Sequence, residues 1–451
     1  MWTAATTSWG CDLRPVVVIG GGLAGPEAAW QLAERGCAVE LWEMRPRVST
    51  PAHQTGAMGE LVCSNSLKSE APDSAPWLLK EELRRGGSLL LACAAAAAVP
   101  GGQALTVDRD RFSAAIEARL AAHPRIRIRR EEARALPEDQ LTVLASGPLT
   151  SAPLTAALAL ASGKQHLYFY DAISPIVDAA TVNRDQVYTA GRYGKGGDDY
   201  WNCPLDRGQY ARFHAALLAA DSYPLHAFEE PRFFEACLPL EELARRGPDT
   251  LRFGPMKPVG LPDPRTGRLP YAVVQLRSEN LRSDSFNLVG FQNHIRHGAQ
   301  PGVLRLIPGL EQARFLRLGQ VHRNTYVAAP AVLNDRLQLR ARPRVWLAGQ
   351  LCGTEGYIEA IATGWLAGQF AAAAAQGRTL PPPPRATALG ALLHYIAHSD
   401  PADYTPANIS FDLLPPLAAP LRDRAQRRRA QCALALDSFA AWWHSARESA
   451  A

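Results

Sequence analysis

Three features of the 451-residue chain predict an α/β fold whose parallel sheet is discontinuous in sequence and interrupted by an inserted α+β domain. An apolar β-branched run, Val16-Val17-Val18-Ile19, leads directly into Gly20-Gly21-Gly22-Leu23-Ala24-Gly25 and then into an alanine-rich helical pattern. A second apolar segment, Ala38 to Glu43, ends in a carboxylate 23 residues after Gly20. Far downstream, Arg344 to Gly349 repeats the passage from apolar strand to glycine, followed by the helical run Ile358 to Ala375. Between the two halves the alternation of strand and helix is lost.

The first glycine run has the spacing GxGxxG. Gly20 permits a tight turn, Gly22 lets backbone approach a pyrophosphate, and Gly25 allows close packing of the helix. The unpaired N–H groups at the helix start, with Gly21, Leu23 and Ala24 in the turn, then face the phosphates, where the helix dipole favours negative charge. Glu43 stands where a carboxylate takes the ribose hydroxyls of an adenosine.

The intervening elements follow in order. Val48 to Ser69 is rich in Ser, Thr, Pro and Gly and reads as a functional loop. A helix is predicted over Arg109 to Ala122, a short strand over Ile126 to Arg130, and a further strand over Leu141 to Ala145, ending at Ser146-Gly147-Pro148. From about Trp201 to Pro330 the texture turns aromatic-rich and proline-punctuated. The division expected is a first dinucleotide-binding part over 14–203, an inserted domain over 204–332, and a second part with C-terminal helices over 333–451. Pro381 to Pro384 is a stiff linker, and Arg422 to Arg429 is a basic, helix-like run.

The late turn, Gly349-Gln350-Leu351-Cys352-Gly353-Thr354-Glu355-Gly356-Tyr357-Ile358, narrows the cofactor. A second glycine-rich helix start aims backbone N–H groups at the pyrimidine oxygens of a flavin and favours its reduced, anionic ring. The first domain therefore reads as an FAD-binding Rossmann-like unit of the glutathione-reductase type, with Gly349, Gln350, Gly353, Gly356, Tyr357 and Ile358 as cofactor residues. For Tyr357, stacking on the flavin and a core role with a bonded hydroxyl fit its position equally well. Only one GxGxxG is present, so a nicotinamide donor has no clamp of its own and must bind transiently.

Seven blocks in order carry a resemblance: Gly59 to Leu67, Phe234 to Pro239, Phe253 to Leu261, Tyr271 to Arg277, Ile307 to Glu311, His322 to Thr325, and Leu413 to Leu417. Together they resemble the folate- and FAD-dependent tRNA uracil-5 methyltransferases, from Pro15 nearly to the last residue. The resemblance implies that methylenetetrahydrofolate supplies carbon, and reduced FAD electrons, to convert a T-loop uridine to 5-methyluridine, with NAD(P)H as reductant. Uracil C5 is a poor nucleophile until a thiolate adds at C6. The resemblance makes Cys237 the candidate for that addition and Cys63 a second functional cysteine facing the flavin; it also adds Asn65 and Gly147 to the cofactor residues. Lys257, Arg277, Arg296, His322 and Arg323, with the tail from Arg422, are the candidate RNA contacts. Two departures stand out: Ala299-Gln300-Pro301-Gly302 replaces a basic pair, and Ala236 replaces a glycine before Cys237.

Composition narrows the alternatives. Hydrophobic residues make up 47% and charged residues 20% of the chain, which fits a globular enzyme and excludes global disorder. The formal charge of +5 is compatible with an RNA partner without requiring one. No segment reads as a membrane span or leader, and a cytoplasmic enzyme is expected. The eight cysteines include no CxxC pair, so neither a zinc ribbon nor a local redox dithiol is indicated. His294 with His297, and His394 with His398, lack a third ligand nearby, and no metal is expected. The same chemistry on a ribosomal uridine, a flavin oxidoreductase of small molecules, and a non-catalytic RNA-binding flavoprotein remain as alternatives.

Overall fold

The computed structural model of the chain describes residues 14–163, 167–194, 199–223, 238–280 and 282–448; of residues 167–173 and 321–323 it describes the backbone alone. Its first sheet has six strands, in the order Gln338–Leu339, Arg342–Leu347, Thr142–Leu144, Val16–Ile19, Val39–Trp42, Ile126–Arg129. All neighbours are parallel except the first pair. Val17 stands opposite both Glu40 and Thr142, and Thr142 opposite Val345, so a strand from beyond residue 340 completes the sheet begun at residue 16. That is the expected discontinuity.

The helix Ala24–Glu34 lies against the late helix Tyr357–Ala375. Small residues make the approach possible: a Cβ on Gly364 would fall 2.3 Å from the Ala24 carbonyl oxygen, and one on Gly368 2.9 Å from that of Ala28. Trp365 from the same helix packs against Phe439, Trp442 and Trp443 of the C-terminal helix Arg424–Glu448. The basic start of that helix, Arg424 to Arg427, is exposed.

The second sheet is antiparallel, in the order Tyr188–Thr189, Tyr200–Leu205, Ala272–Ser278, Ser285–Leu288, Ile176–Asp178, Phe315–Arg317. It has its own core, with Phe213, Phe286 and Phe291 fully buried. Its strands begin at Ile176, earlier than residue 204. The early ones span only two or three residues, too short to display an alternation of apolar and polar positions, and Tyr200–Leu205 declares itself only through its pairing with Ala272–Ser278. An antiparallel ribbon of Leu167–Ile173 with Gln320–Tyr326 forms at the two chain crossings.

A buried carboxylate fixes the start of the helix Ala388–His398. Glu82 accepts the N–H groups of Ala388 and Leu389 at 2.7 and 2.9 Å, capping Ala388–His398 from another helix. Burial pushes its carboxyl up to about 8, against the lowering effect of those two N–H groups. A carboxyl raised in the folded state stabilises fully below its unfolded value near 4.5 and loses that contribution as pH rises through about 8. Glu82→Gln is therefore expected to flatten the fall in melting temperature between about pH 5 and pH 8. A fall as steep as the parent's in thermal melts across that window would remove Glu82 from the pH dependence.

Candidate active site

Two helix starts and one loop enclose a cavity of about 360 Å³ at the carboxyl ends of the parallel strands. Neither Ala24–Glu34 nor Tyr357–Ala375 has a side chain capping its first N–H groups. By contrast, Ser74, Ser88, Asp108 and Thr387 cap helices elsewhere. Open helix starts facing a cavity are anion sites in waiting.

The glycine turn is built as its spacing requires. Gly20 has φ +113°, and a Cβ there would lie 2.3 Å from the Ala145 carbonyl oxygen. A Cβ on Gly25 would meet the Gly20 carbonyl oxygen at 1.8 Å, whereas one on Gly22 meets nothing within 4 Å and faces open space. Glu43 accepts the Gly21 N–H at 2.6 Å and both the backbone N–H and Nε of Arg45 at 2.8 Å. Burial pushes the Glu43 carboxyl up, but the Arg45 side chain more than offsets this and holds it ionised. Both Arg45 bonds fall on Oε1, whereas Oε2 accepts only the Gly21 N–H and keeps a lone pair for a ribose hydroxyl.

Gly20, Gly21, Gly22, Leu23, Ala24, Glu43, Gly147, Gly349, Gln350, Gly356 and Tyr357 all line the cavity, and so does Cys63. Four expected cofactor residues lie outside the lining and serve other ends. Gly25 packs on Gly20, and Gly353, at φ +80°, leaves room for the Tyr404 hydroxyl. Ile358 is buried in the core. Asn65 is fully buried: its amide donates to the carbonyls of Val107 and Ser278 at 3.1 and 3.0 Å and accepts from Arg277 Nε at 3.0 Å.

That last bond also relocates Arg277, which is buried inside the second sheet and away from solvent. Lys257 is half-buried. Arg296 is exposed and paired with Asp221 at 3.0 Å. His322 and Arg323 fall on the ribbon strand Gln320–Tyr326, where only backbone is described, and Cys237 with Ala236 lies outside the described residues.

Tyr357 does more than line the cavity. Its hydroxyl oxygen accepts the backbone N–H of Cys63 at 2.7 Å and of Ser64 at 3.2 Å, fixing the thiol-bearing loop to the late helix. Burial, and then Cys63, push its ionisation well above that of a free phenol, so it stays neutral. Tyr357→Phe leaves both N–H groups without that acceptor, at about 1–3 kcal/mol for each one buried and unpaired. The expected result is a lower melting temperature and faster loss of flavin on dilution, read by calorimetry and flavin fluorescence. Parent-like values for both would show that the hydroxyl contributes nothing.

The loop from Val48 supplies residues to which the sequence assigned no individual role. Glu60 accepts from the backbone N–H of Gln54 and Thr55 at 2.8 and 3.1 Å and pairs with Arg45. His53 meets the Thr50 hydroxyl at 2.6 Å, and burial together with Arg45 pushes its imidazole down to about 4, leaving it neutral. Lys68, in the left-handed region at φ 63°, reaches Glu359 of the late helix at 2.6 Å. The composition of the loop marked it as functional, but its individual partners depend on contacts across hundreds of residues.

These features fit FAD: an open glycine cradle, a buried carboxylate beside it, and a second uncapped helix start across the cavity. They define a flavoprotein built on one discontinuous parallel sheet and an antiparallel partner sheet. The family model described as glucose inhibited division protein A matches residues 15–379. The solved structure of Aquifex aeolicus GidA shares the fold, with a TM-score of 0.72 at 16% identity over 98% of this chain and 75% of that one. Much nearer in sequence is the methylenetetrahydrofolate--tRNA-(uracil-5-)-methyltransferase TrmFO of Solibacter usitatus, 59% identical over 96% of this chain and 99% of that one. Its counterpart from Koribacter versatilis is 56% identical over 94% and 97%. The chain belongs to the methylenetetrahydrofolate--tRNA-(uracil-5-)-methyltransferase family.

Proposed function

We propose that this protein methylates a tRNA uridine at C5, in the T-loop, with methylenetetrahydrofolate as carbon donor and FAD as the redox cofactor. The observation that carries this is identity of 59% across 96% of the chain with a relative of that name, in a molecule whose cavity holds an FAD cradle and a thiol together. FAD, when bound, supplies the electrons that bring the transferred carbon to the level of a methyl group. The net change replaces the C5 hydrogen of uracil, lost as a proton, with that methyl.

The residues of the chain supply the rest. A thiolate adding at C6 makes C5 nucleophilic, and Cys237 takes that role in the proposal. Cys63, on the cavity wall, stands beside the flavin site. Gly22 and the start of Ala24–Glu34 take the pyrophosphate, Glu43 the ribose, and the start of Tyr357–Ala375 the flavin ring. NAD(P)H reduces the flavin from a transient site, in the cytoplasm. Lys257, Arg296, His322, Arg323 and the tail arginines from Arg422 to Arg429 take RNA phosphates, while the buried Arg277 is left out of that set.

The target RNA is tested by offering FAD-loaded protein both tRNA transcripts and rRNA fragments with a labelled methylene donor and a reductant. Label is expected in tRNA. Label confined to rRNA would sink the tRNA assignment while leaving the chemistry intact.

A further inference from the structure

The segment bearing Cys63 is held from three sides. The Leu61 carbonyl accepts from Arg109, the N–H groups of Cys63 and Ser64 donate to Tyr357, and Asn65 is bonded to the second sheet. Arg109, at the start of the helix Arg109–Ala122, also pairs with Glu279, just past the strand Ala272–Ser278. Arg109 Nη2 and Glu279 Oε1 are buried without a hydrogen-bond partner. A second guanidinium arrives from Arg317, at the end of Phe315–Arg317. Its hydrogen bond is a long one, 3.4 Å from Nη2 to the Ala52 carbonyl, and among the described residues it has no ion-pair partner. Cys63, Tyr357, Arg109 and Glu279 all lie within its electrostatic range.

Among the described residues, two cations and one carboxylate thus stand within electrostatic range of the thiol, with Arg109 bonded to its loop at Leu61, beside a phenol that stays neutral. Among these described groups the surplus is one positive charge in a half-buried place, where an uncompensated ion is costly. Further round the cavity His53 is neutral and Glu60 is engaged by Arg45, so neither cancels it. Besides Glu279, the described groups acting on Arg317 include the sulfur of Cys63, an anion once its proton has passed to solvent. We propose that Arg109 and Arg317 are positioning residues that hold the Cys63 side chain as a thiolate, with Glu279 on the second sheet limiting how much of the Arg109 charge reaches it. Cations beside a cysteine favour the thiolate, which is the reactive form.

The proposal rests on Cys63 being a functional thiol of the methyl transfer, but its test needs neither folate nor RNA. FAD-loaded full-length protein is treated with iodoacetamide across a pH series, and Cys63 modification is counted by peptide mass spectrometry. The thiolate sulfur forms the new S–C bond as iodide leaves. Arg317→Gln is expected to raise the pH of half-maximal modification by about one or more. Glu279→Gln is expected to lower it, and Arg317→Lys to leave it near the parent value. Loosening of the loop alone would move the first two variants in the same direction. An unchanged midpoint in both, or shifts of the same sign, would overturn the proposal; retained flavin absorbance certifies that each variant is folded.

Discussion

Gly25→Ala protein is expected to emerge from purification without FAD. The alanine Cβ would have to occupy a point 1.8 Å from the Gly20 carbonyl oxygen, well inside van der Waals contact. Relief requires the helix Ala24–Glu34 to move away from the turn, yet its far face is already pressed onto Gly364 and Gly368 of the late helix. Overpacking of this kind costs about 3 kcal/mol, and here the displaced element is the one that presents N–H groups to the pyrophosphate. The flavin spectrum and the melting temperature report both effects. Gly22→Ala is the matched control: its Cβ meets no protein atom within 4 Å, so the apo fold is expected to be intact while cofactor affinity falls. Full flavin occupancy in Gly25→Ala would mean that the turn does not bind the cofactor as its geometry requires.

Cys237→Ala is expected to separate the two halves of the chemistry. In the proposal the FAD contacts come from the turns and helix starts at the end of the parallel sheet, none of them near residue 237 in sequence, so flavin content and reduction by NAD(P)H are expected to stay at the parent level. Methyl transfer should fall by about three orders of magnitude or more, the scale on which loss of a covalent nucleophile acts. Retained methylation would remove Cys237 from the mechanism. Loss of flavin together with methylation would instead give the residue a structural part. Cys63→Ala differs in kind, because its thiol lies on the cavity wall itself, and it is expected to alter the flavin spectrum as well as turnover.

The first sheet was legible in the sequence because its signals are local. A β-branched run before GxGxxG, an acid at the end of the next strand, and a second strand-glycine-helix passage each occupy fewer than about twenty residues, and each implies its own backbone geometry. The predicted helix over Arg109 to Ala122 matches the observed one, since Asp108 caps it and Phe112, Ile116 and Leu120 fall on one face. The second sheet was less legible. Its strands Ile176–Asp178 and Tyr188–Thr189 are too short to display periodicity, and their pairing partners lie as far away as Ser285–Leu288 and Phe315–Arg317.

The site divides along the same line. Residues required by backbone conformation, such as Gly20 and Gly349, were found by motif, because only glycine fits comfortably at φ +113° and +77°. Residues defined by a distant partner could not be placed by local signals. The resemblance made Asn65 a cofactor residue, but its amide is taken up by the carbonyls of Val107 and Ser278. Arg277 looked like an RNA contact because it is cationic, but it spends its charge on Asn65 in the interior. Arg109 carried no motif at all; its place beside the thiol loop follows from a carbonyl at Leu61 and a carboxylate at Glu279, neither adjacent in sequence.

The most direct test of a folate- and FAD-dependent tRNA uracil-5 methyltransferase is nucleoside mass mapping of a tRNA transcript. The transcript is incubated with the FAD-loaded protein, methylenetetrahydrofolate labelled in its methylene carbon, and NAD(P)H. The expected product is 5-methyluridine confined to the T-loop, carrying the labelled carbon and absent when either folate or reductant is withheld. Unlabelled 5-methyluridine, or oxidation of the reductant with no modified uridine at any position, would contradict it.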